Sequence, residues 1–420
     1  MDGTLGRSPT FLVGATQQQH NLEEFQRRDQ HLSEQYSKNK PLCFNANTYQ
    51  LTHPRKAAKG CRDADAALTS PMLLGVADGV SQIEDFGIDA SALPKELLKA
   101  CEELAMYQLF PEDQATHPTD AYMGPVCLMK EAYEATESMG STTALLAILD
   151  NSTQIHGKLH PMVAVLSIGD CELLIMRRLQ GRQSPLQAVF HTEMQRIGGH
   201  AQQPIQIARV DDRIDPDFDE SCAIEVIERG SAAHYVSAYE GDIVVLGSDG
   251  VFDNLYLDEV VEICNEMLSQ SKPAYGGGQF MPTDPMLLGQ VARRIVEEAH
   301  LKTAAGFDGR YADTPIGKGG KVDDTCCVVG EVVEWTAQHS QAWTRLRRQR
   351  QWNSFATCGG MCNTCCKDED DEYEYAEPSY FEGKAREYPY GPAGSSFNEG
   401  GSGYGYAEEE SDDDKTCSIS

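Results

Sequence analysis

The sequence lacks any apolar run long enough to cross a bilayer. Its longest apolar stretches, such as Met72–Ala77 and Met162–Ile168, fall far short of the 20 or so residues that a transmembrane helix needs. Basic residues are also scarce, with 35 Lys and Arg against 65 Asp and Glu, so the formal net charge is -30. This balance excludes a broad surface for nucleic-acid phosphates.

Targeting signals are absent from the start of the sequence. Asp2 stands where N-myristoylation needs glycine, and Glu23 and Glu24 argue against a mitochondrial transit peptide. The 14 cysteines are scattered without the spacing of a disulfide framework. We therefore expect a cytoplasmic protein, with mitochondria less favoured.

Composition divides the chain into four segments. Residues 1–40 form a Gln-rich and charged lead-in that we expect to be loosely ordered, and residues 41–335 hold the apolar runs of a folded domain. Residues 336–366 are rich in Trp, Arg and Cys, and a terminal helix is one interpretation of them. Residues 367–420 carry 16 Asp or Glu and only 4 Lys or Arg, which predicts a disordered acidic tail.

Within residues 41–335, short apolar runs alternate with helical patterns. The runs predict strands at Met72–Ala77, Ala144–Leu149, Met162–Ile168, Cys171–Met176, Ile243–Leu246 and Cys326–Val333. Apolar residues three and four apart predict helices at Leu93–Leu109, Asp258–Leu268 and Pro285–Leu301. Gly169-Asp170 suggests a hairpin spanning Met162–Arg177 and thus antiparallel pairing. The predicted fold is an α/β sandwich of two mainly antiparallel β-sheets flanked by α-helices.

Aspartates stand where these strands stop or begin. Asp78, Asp170 and Asp249 each follow an apolar strand, and Asp323-Asp324 precede one. Strand ends fix side chains well, so a cluster of hard oxygen ligands for Mg²⁺ or Mn²⁺ is one interpretation. Asp-Gly is also a common turn dipeptide, and any one of these motifs alone is more often a turn. Their repetition at strand ends favours the metal site.

Five motifs, in their order along the chain, resemble the type 2C metal-dependent protein phosphatases. They are Val76–Val80 (VADGV), Gly140–Ala144 (GSTTA), Ile168–Leu173 (IGDCEL), Ser248–Asn254 (SDGVFDN) and Gly320–Thr325 (GKVDDT). The resemblance covers about residues 55–335, and Asp63-Ala64-Asp65-Ala66 is similar to the family's opening acidic motif. The short branch of the family, which includes mitochondrial phosphatases, is the most similar through Gly75–Ile88 and Gln203–Gln206.

The resemblance implies a set of metal ligands. Asp78 would bridge two Mg²⁺ or Mn²⁺ ions, the Gly79 carbonyl would bind one, and Asp249 and Asp323 would complete the other. A looser third ion is implied at Asp65 and Asp170. Asp253 and Asp324 would support the ligands, and Ser141 and Thr142 would hydrogen-bond behind the metals.

The resemblance also implies the activity, which is hydrolysis of phosphoserine and phosphothreonine in phosphoproteins by direct attack of a metal-bridging water. Val80 stands where many members have histidine, so the leaving-group acid is unassigned. Lys59 and Arg62 are the candidates for binding phosphate. The alternative hypothesis is a catalytically inactive scaffold with a lipidated acidic tail.

Two other phosphatase chemistries fit the sequence poorly. Cys171 and Arg177 have the spacing of a thiolate phosphate loop, but bulky strand residues lie between them instead of the small residues such a loop needs. Asp63 and Asp65 have the spacing of an aspartyl-phosphate hydrolase, but the segment before them, Lys56–Arg62, is polar rather than a buried strand.

The last four residues, Cys417–Ser420, fit a prenylation box, and the terminal Ser favours farnesyl. One prenyl chain gives only reversible attachment, so a second signal is needed. Palmitoylation of the cysteines between Cys358 and Cys366, beside three tryptophans and an arginine run, is one candidate. A helix docked on the domain is the other interpretation of that segment. We expect a monomer, attached reversibly to the cytoplasmic face of a membrane.

Overall fold

Two five-stranded sheets form the centre of the fold in the computed structural model, which describes residues 40–111, 122–155, 158–180, 184–197, 203–270 and 281–357. The first sheet has the order β1 (Leu42–Leu51), β18 (Thr325–Glu334), β15 (Ile243–Gly247), β9 (Glu172–Arg178) and β10 (Leu186–His191). The second has the order β14 (Ala232–Ser237), β8 (Met162–Ile168), β5 (Ala144–Asp150), β3 (Leu73–Ala77) and β2 (Ala66–Thr69). Every neighbouring pair in both sheets is antiparallel.

Short ladders and helices complete the described elements. The two-stranded ladders pair β4 (Gly140–Thr142) with β13 (Ile207–Arg209), β6 (Gln154–Ile155) with β7 (Lys158–Leu159), β11 (Arg196–Ile197) with β12 (Gln203–Pro204), and β16 (Asp313–Thr314) with β17 (Gly317–Lys318). The helices are α1 (Pro54–Ala57), α2 (Ala92–Gln108), α3 (Pro125–Glu134), α4 (Glu220–Glu225), α5 (Asp249–Phe252), α6 (Leu257–Gln270), α7 (Pro285–Lys302) and α8 (Ala337–Thr357), with a 3-10 turn at Ser81–Phe86 and a π turn at Val226–Gly230. None of the described helices combines the length and apolar character that crossing a bilayer requires.

The sheets pack face to face between two layers of helices. Alternate residues of β9 show this arrangement, because Leu173 and Ile175 join the core between the sheets. Leu174 and Met176 point the other way, into the core beneath α6 and α7. Helices α2 and α3 pack on the second sheet. The predicted sandwich of antiparallel sheets flanked by helices is confirmed.

The predicted hairpin spanning Met162–Arg177 is wrong. Strand β8 pairs with β5 and β14 in the second sheet, whereas β9 pairs with β15 and β10 in the first. Gly169, with φ 102°, turns the chain from one sheet to the other. Because β8 already has a partner on each edge, it has no edge left to offer β9. The turn therefore connects the layers and carries Asp170 between them.

The segment after β18 continues as helix α8. Trp335, just before it, is 7% exposed, and Trp343 within it is 2% exposed. Both belong to the core between the sheets and α2, and the Trp335 ring packs edge to face on Phe110 at 6.0 Å. Burial of these aromatic rings attaches the start of α8 to the domain. Cys358–Cys366 and the tail with Cys417 lie outside the described residues.

Candidate metal centre

Strand ends from both sheets bring four aspartates together. Asp78 follows β3 of the second sheet, Asp249 follows β15 of the first, and Asp323 precedes β18. Burial raises the pKa of Asp78 well above its usual value, and the charges of Asp65, Asp249 and Asp323 raise it further. Mutual repulsion of this kind requires the four carboxylates to be close neighbours.

The same effects act on the other members of this group. Burial raises the pKa of Asp65, with repulsion from Asp63, Asp249 and Asp323 in the same direction. For Asp249, burial is the largest cause and raises the pKa to about 7. Asp323 differs, because contacts with Lys321 and Lys56 outweigh its burial and lower its pKa. The cluster carries more negative charge than the protein itself neutralises.

Two lysines that sequence reasoning did not single out lie among the carboxylates. The Lys321 ammonium contacts Asp249 and lies 2.7 Å from Asp323 Oδ2. The Lys56 ammonium donates to Asp323 Oδ1 and Asp324 Oδ2, both at 2.7 Å. In the described part of the chain, no three acidic, imidazole or thiol groups are arranged around one common point as in a loaded metal site. The lysine ammonium groups lie between the carboxylates instead.

Unpartnered oxygens test whether the cluster suits divalent cations. Asp65 Oδ2, Asp249 Oδ1 and Asp324 Oδ1 are buried and have no hydrogen-bond partner. A buried carboxylate oxygen without a partner is costly, and a cation is the partner that such an oxygen accepts most readily. The donors are all hard oxygens, which Mg²⁺ and Mn²⁺ prefer. The residues therefore fit a divalent metal centre.

Backbone contacts fix Asp78 and Gly79 in place. The Asp78 carbonyl accepts from the Thr143 amide at 2.9 Å and from the Thr142 hydroxyl at 2.9 Å. A Cβ atom on Gly79 would lie 2.3 Å from the Ala90 carbonyl oxygen, so only glycine permits this approach. The Thr142 hydroxyl thus contacts the backbone of Asp78, as expected for a residue behind the metal ligands. The Ser141 hydroxyl instead donates to the Gln206 side chain.

Asn254 holds the loop that carries Lys321 and Asp323. Its amide nitrogen donates to the Lys321 carbonyl at 2.9 Å and to the Gly250 carbonyl at 2.9 Å. Its amide oxygen accepts from the Lys321 backbone N–H at 2.7 Å. The SDGVFDN motif and the GKVDDT motif, distant in sequence, are joined through this side chain and through the contact of Lys321 with Asp249.

The remaining predicted residues form a second group around Arg196. Its guanidinium donates to Asp170 at 2.9 Å and to both oxygens of Asp253 at 2.8 and 2.9 Å. Asp170 therefore lies beside Asp253, with Asp249 between this group and the Asp78 group, since the Arg196 guanidinium approaches Asp249 to 3.9 Å. Asp65 is a neighbour of Asp249 and Asp323 rather than of Arg196.

The other candidates from the sequence are exposed, protonated or already paired. Arg62 is 78% exposed at its side chain, with its contact to Asp89 at 3.8 Å, and Lys59 is exposed. Burial raises the pKa of the Cys171 thiol, and the charges of Asp78 and Asp170 raise it further. Arg177 forms a two-bonded ion pair with Asp242. A cysteine-thiolate mechanism is incompatible with a protonated thiol whose supposed arginine is already paired.

A cavity of about 700 Å³ opens beside Arg196 and Asp253. Its other walls are Glu172, His191, Met194, Phe252, Leu255, Tyr256, Leu257, Asp258, Pro315 and Ile316. The wall therefore combines apolar and charged side chains. A cavity of this volume and composition can take up a flexible polar segment of a ligand.

The chain is similar in sequence to known proteins over about 70% of its length. The chain is 27% identical over 310 residues to the probable protein phosphatase 2C 26 of Arabidopsis thaliana, covering 70% of this chain and 85% of that protein. It is 26% identical over 295 residues to the probable protein phosphatase 2C 62 of the same plant, again covering 70% of this chain but spanning only 34% of that longer protein. No family model matches the chain.

Solved structures show a weaker likeness. The photosystem II phosphatase PBCP is 22% identical, with a TM-score of 0.45 over 69% of this chain and 98% of that one. The catalytic domain of the serine/threonine phosphatase PstP, solved with 2 manganese ions, is 15% identical, with a TM-score of 0.35 over 70% of this chain and all of that one. The chain is therefore similar in sequence to proteins described as probable protein phosphatases 2C.

Proposed function

We propose that this protein is a metal-dependent serine/threonine phosphatase whose Asp78, Gly79, Asp249 and Asp323 hold two Mg²⁺ or Mn²⁺ ions. The observation that carries the proposal is the set of buried carboxylates with raised pKa values and unpartnered oxygens at strand ends. Bound divalent ions would supply the Lewis acidity that activates water and neutralises charge on a phosphoryl group. The family relationship supports phosphoproteins as the substrates.

The chain's own residues prepare the site for this chemistry. The two sheets hold the carboxylates on strand ends, which restricts the positions that their oxygens can take when an ion binds. Lys56 holds Asp323 and Asp324 in fixed orientations through charge-assisted hydrogen bonds. Lys321 has the more exposed side chain, at 37%, and can leave the carboxylates for solvent when a stronger cation binds. The cavity beside Arg196 is where we place the peptide that flanks the phosphorylated residue.

A substitution at Asp249 tests the proposal. Asp249→Asn keeps the shape of the side chain but removes a charged ligand, so Mn²⁺-dependent hydrolysis of an aryl phosphate and of a phosphothreonine peptide should fall about 10²–10³-fold. The matched control is Asp212→Asn, since Asp212 is an exposed aspartate away from the cluster. Equal activity in the parent and in Asp249→Asn would remove the metal mechanism. A parent inactive with both metals would leave the scaffold alternative.

We further propose that Cys417 is farnesylated and gives reversible attachment to a cytoplasmic membrane face. The support is the sequence pattern alone, because this part of the chain lies outside the described residues. Cys417→Ser should move the protein from the membrane to the soluble fraction, whereas Ser418→Ala preserves the cysteine and should leave the distribution unchanged. A membrane fraction that Cys417→Ser does not alter would contradict the hypothesis.

A further inference from the structure

The Arg196 side chain is surrounded by buried carboxylates. Its side chain is only 18% exposed, and those of Asp170 and Asp253 are 3% and 4% exposed. The guanidinium Nε donates to Asp170 Oδ2 at 2.9 Å, and the terminal nitrogen donates to both oxygens of Asp253. The same nitrogen lies 3.9 Å from Asp249 Oδ2. One positive charge is thus shared among the carboxylates of Asp170, Asp249 and Asp253.

The backbone fixes Arg196 next to Asp170. Its neighbour Gln195 donates from its backbone amide to the Gly169 carbonyl at 2.8 Å, and the Gln195 side-chain oxygen accepts from the Gly169 amide at 3.0 Å. The Gln195 carbonyl in turn accepts from the Ile205 amide. Two residues adjacent in sequence to the ion pair are therefore joined by hydrogen bonds, so the pair is part of the fold.

The charge on Arg196 is permanent. Burial alone lowers the pKa of the guanidinium, but hydrogen bonds and charges from Asp253 and Asp170 outweigh it and raise the pKa above its already high ordinary value. A divalent cation at the same place would therefore meet a fixed positive charge at every working pH.

The pairing leaves few ligands for a third ion. Both oxygens of Asp253 and Oδ2 of Asp170 accept hydrogen bonds from the guanidinium, so of these two carboxylates only Asp170 Oδ1 is left without a partner. A hard divalent ion needs several oxygen ligands and gains little from a single one beside a guanidinium. The residues around Asp170 therefore do not fit the looser third ion that the family resemblance implies there.

We propose that the Arg196 guanidinium replaces that third cation, so that this protein binds two divalent ions and not three. The inference rests on the proposed function, because it takes Asp78, Asp249 and Asp323 as the ligands of the two ions. Arg196 acts here as a positioning residue that holds Asp170 and Asp253 beside the metal centre.

Counting bound ions tests the inference without any measurement of activity. Equilibrium dialysis against micromolar to millimolar Mn²⁺, followed by elemental analysis, should give two ions per full-length parent chain. Arg196→Met removes the charge but keeps an apolar stem, and it should raise the count to three. Arg196→Lys preserves a positive charge and should stay at two, as should Arg213→Met, the control at an arginine that is 63% exposed.

A further substitution locates the gained ion. Adding Asp170→Asn to Arg196→Met should return the count to two, because the new site would lose its charged ligand. A parent that binds three ions and drops to two with Asp170→Asn would overturn the inference, and this comparison stands even if Arg196→Met does not fold. An unchanged count of two in a folded Arg196→Met would also overturn it. A parent that binds no Mn²⁺ would overturn the proposed function and this inference together.

Discussion

The Asp249 carboxylate links the free energy of unfolding to pH and to metal binding. Burial raises its pKa to about 7 from an ordinary value of 3.8, while Lys321 opposes the shift and Asp323 adds to it. Between those two values the folded state binds more protons than the unfolded state. The free energy of unfolding of the metal-free protein should therefore fall as pH rises from about 4 to about 7. Above about pH 7 this contribution of Asp249 should stay constant at its lower value.

A divalent cation should remove this penalty, because it takes the place of the proton. We expect Mn²⁺ to raise the melting temperature over that in EDTA by several degrees more at pH 7.5 than at pH 5. Scanning calorimetry in both conditions measures the difference. In Asp249→Asn, the rise in melting temperature caused by Mn²⁺ should depend less on pH. In Asp212→Asn, it should depend on pH as in the parent. An equal increment at both pH values would contradict the prediction.

Single residues were only partly predictable from sequence. The aspartates could be found because each stands beside an apolar strand, a local pattern. Their cationic partners could not, because Lys56 lies 267 residues from Asp323 and Arg196 lies 57 residues from Asp253. Contacts over such separations leave no mark in local spacing. Lys321, two residues before Asp323, is the partner that proximity in sequence could have suggested.

The short helix α5 depends on a close approach that only glycine allows. A Cβ atom on Gly250 would lie 2.1 Å from the Asp324 carbonyl oxygen and 2.8 Å from the Thr325 hydroxyl. Asp324 directly precedes β18 and Thr325 is its first residue, and every residue of this strand but the last is buried, so the strand cannot shift freely. The contact therefore sets the spacing between Asp249 and Asp323.

Gly250→Ala should lower the free energy of unfolding by about 1–3 kcal/mol and weaken Mn²⁺ binding, because the added methyl group forces these elements apart. Urea unfolding and metal titration measure the two effects. Gly230→Ala is the matched control, since its Cβ would meet only ordinary contacts at 3.6 Å or more. A Gly250→Ala protein with parental stability would show that the strand end adapts without cost.

At the level of elements, buried strands were easier to predict than edge strands. The runs that predicted β5, β8, β9, β15 and β18 are continuous because both faces of these strands are covered. Strands β10 and β14 lie at sheet edges and are largely exposed, so their polar residues gave no comparable signal. The Gly169-Asp170 turn was found, but its connection between sheets depends on the partners of β8.

For the molecule as a whole, Trp343 in α8 extends the core of the domain beyond the last strand of the two sheets. Trp343 is 2% exposed and belongs to the same core as the two sheets, although α8 begins after the last strand. Arg347, one turn further on, places its guanidinium over the Tyr107 ring at 4.8 Å. A protein cut after Val333 would lose part of its core along with the tail.

Trp343→Ala should therefore lower the free energy of unfolding by about 3–5 kcal/mol, because it leaves a large cavity in the core. Gln341→Ala changes an exposed residue of the same helix and should have an effect within about 0.5 kcal/mol. Denaturant titrations of both proteins provide the comparison. If the two substitutions were equally mild, α8 would contribute little to the domain.

The pairing of β1 with β18 places Leu42 opposite Glu334 at one end of a ten-pair ladder, the longest between the described strands. During synthesis, nearly three hundred residues are added after Leu42 before its partner Glu334 is made, so β1 cannot pair with β18 until then. Until then β1 and β15 present unsatisfied edges to the surrounding solution, and long-range pairing of this kind closes slowly. Newly made chains should thus need protection from chaperones until translation has passed the last strand.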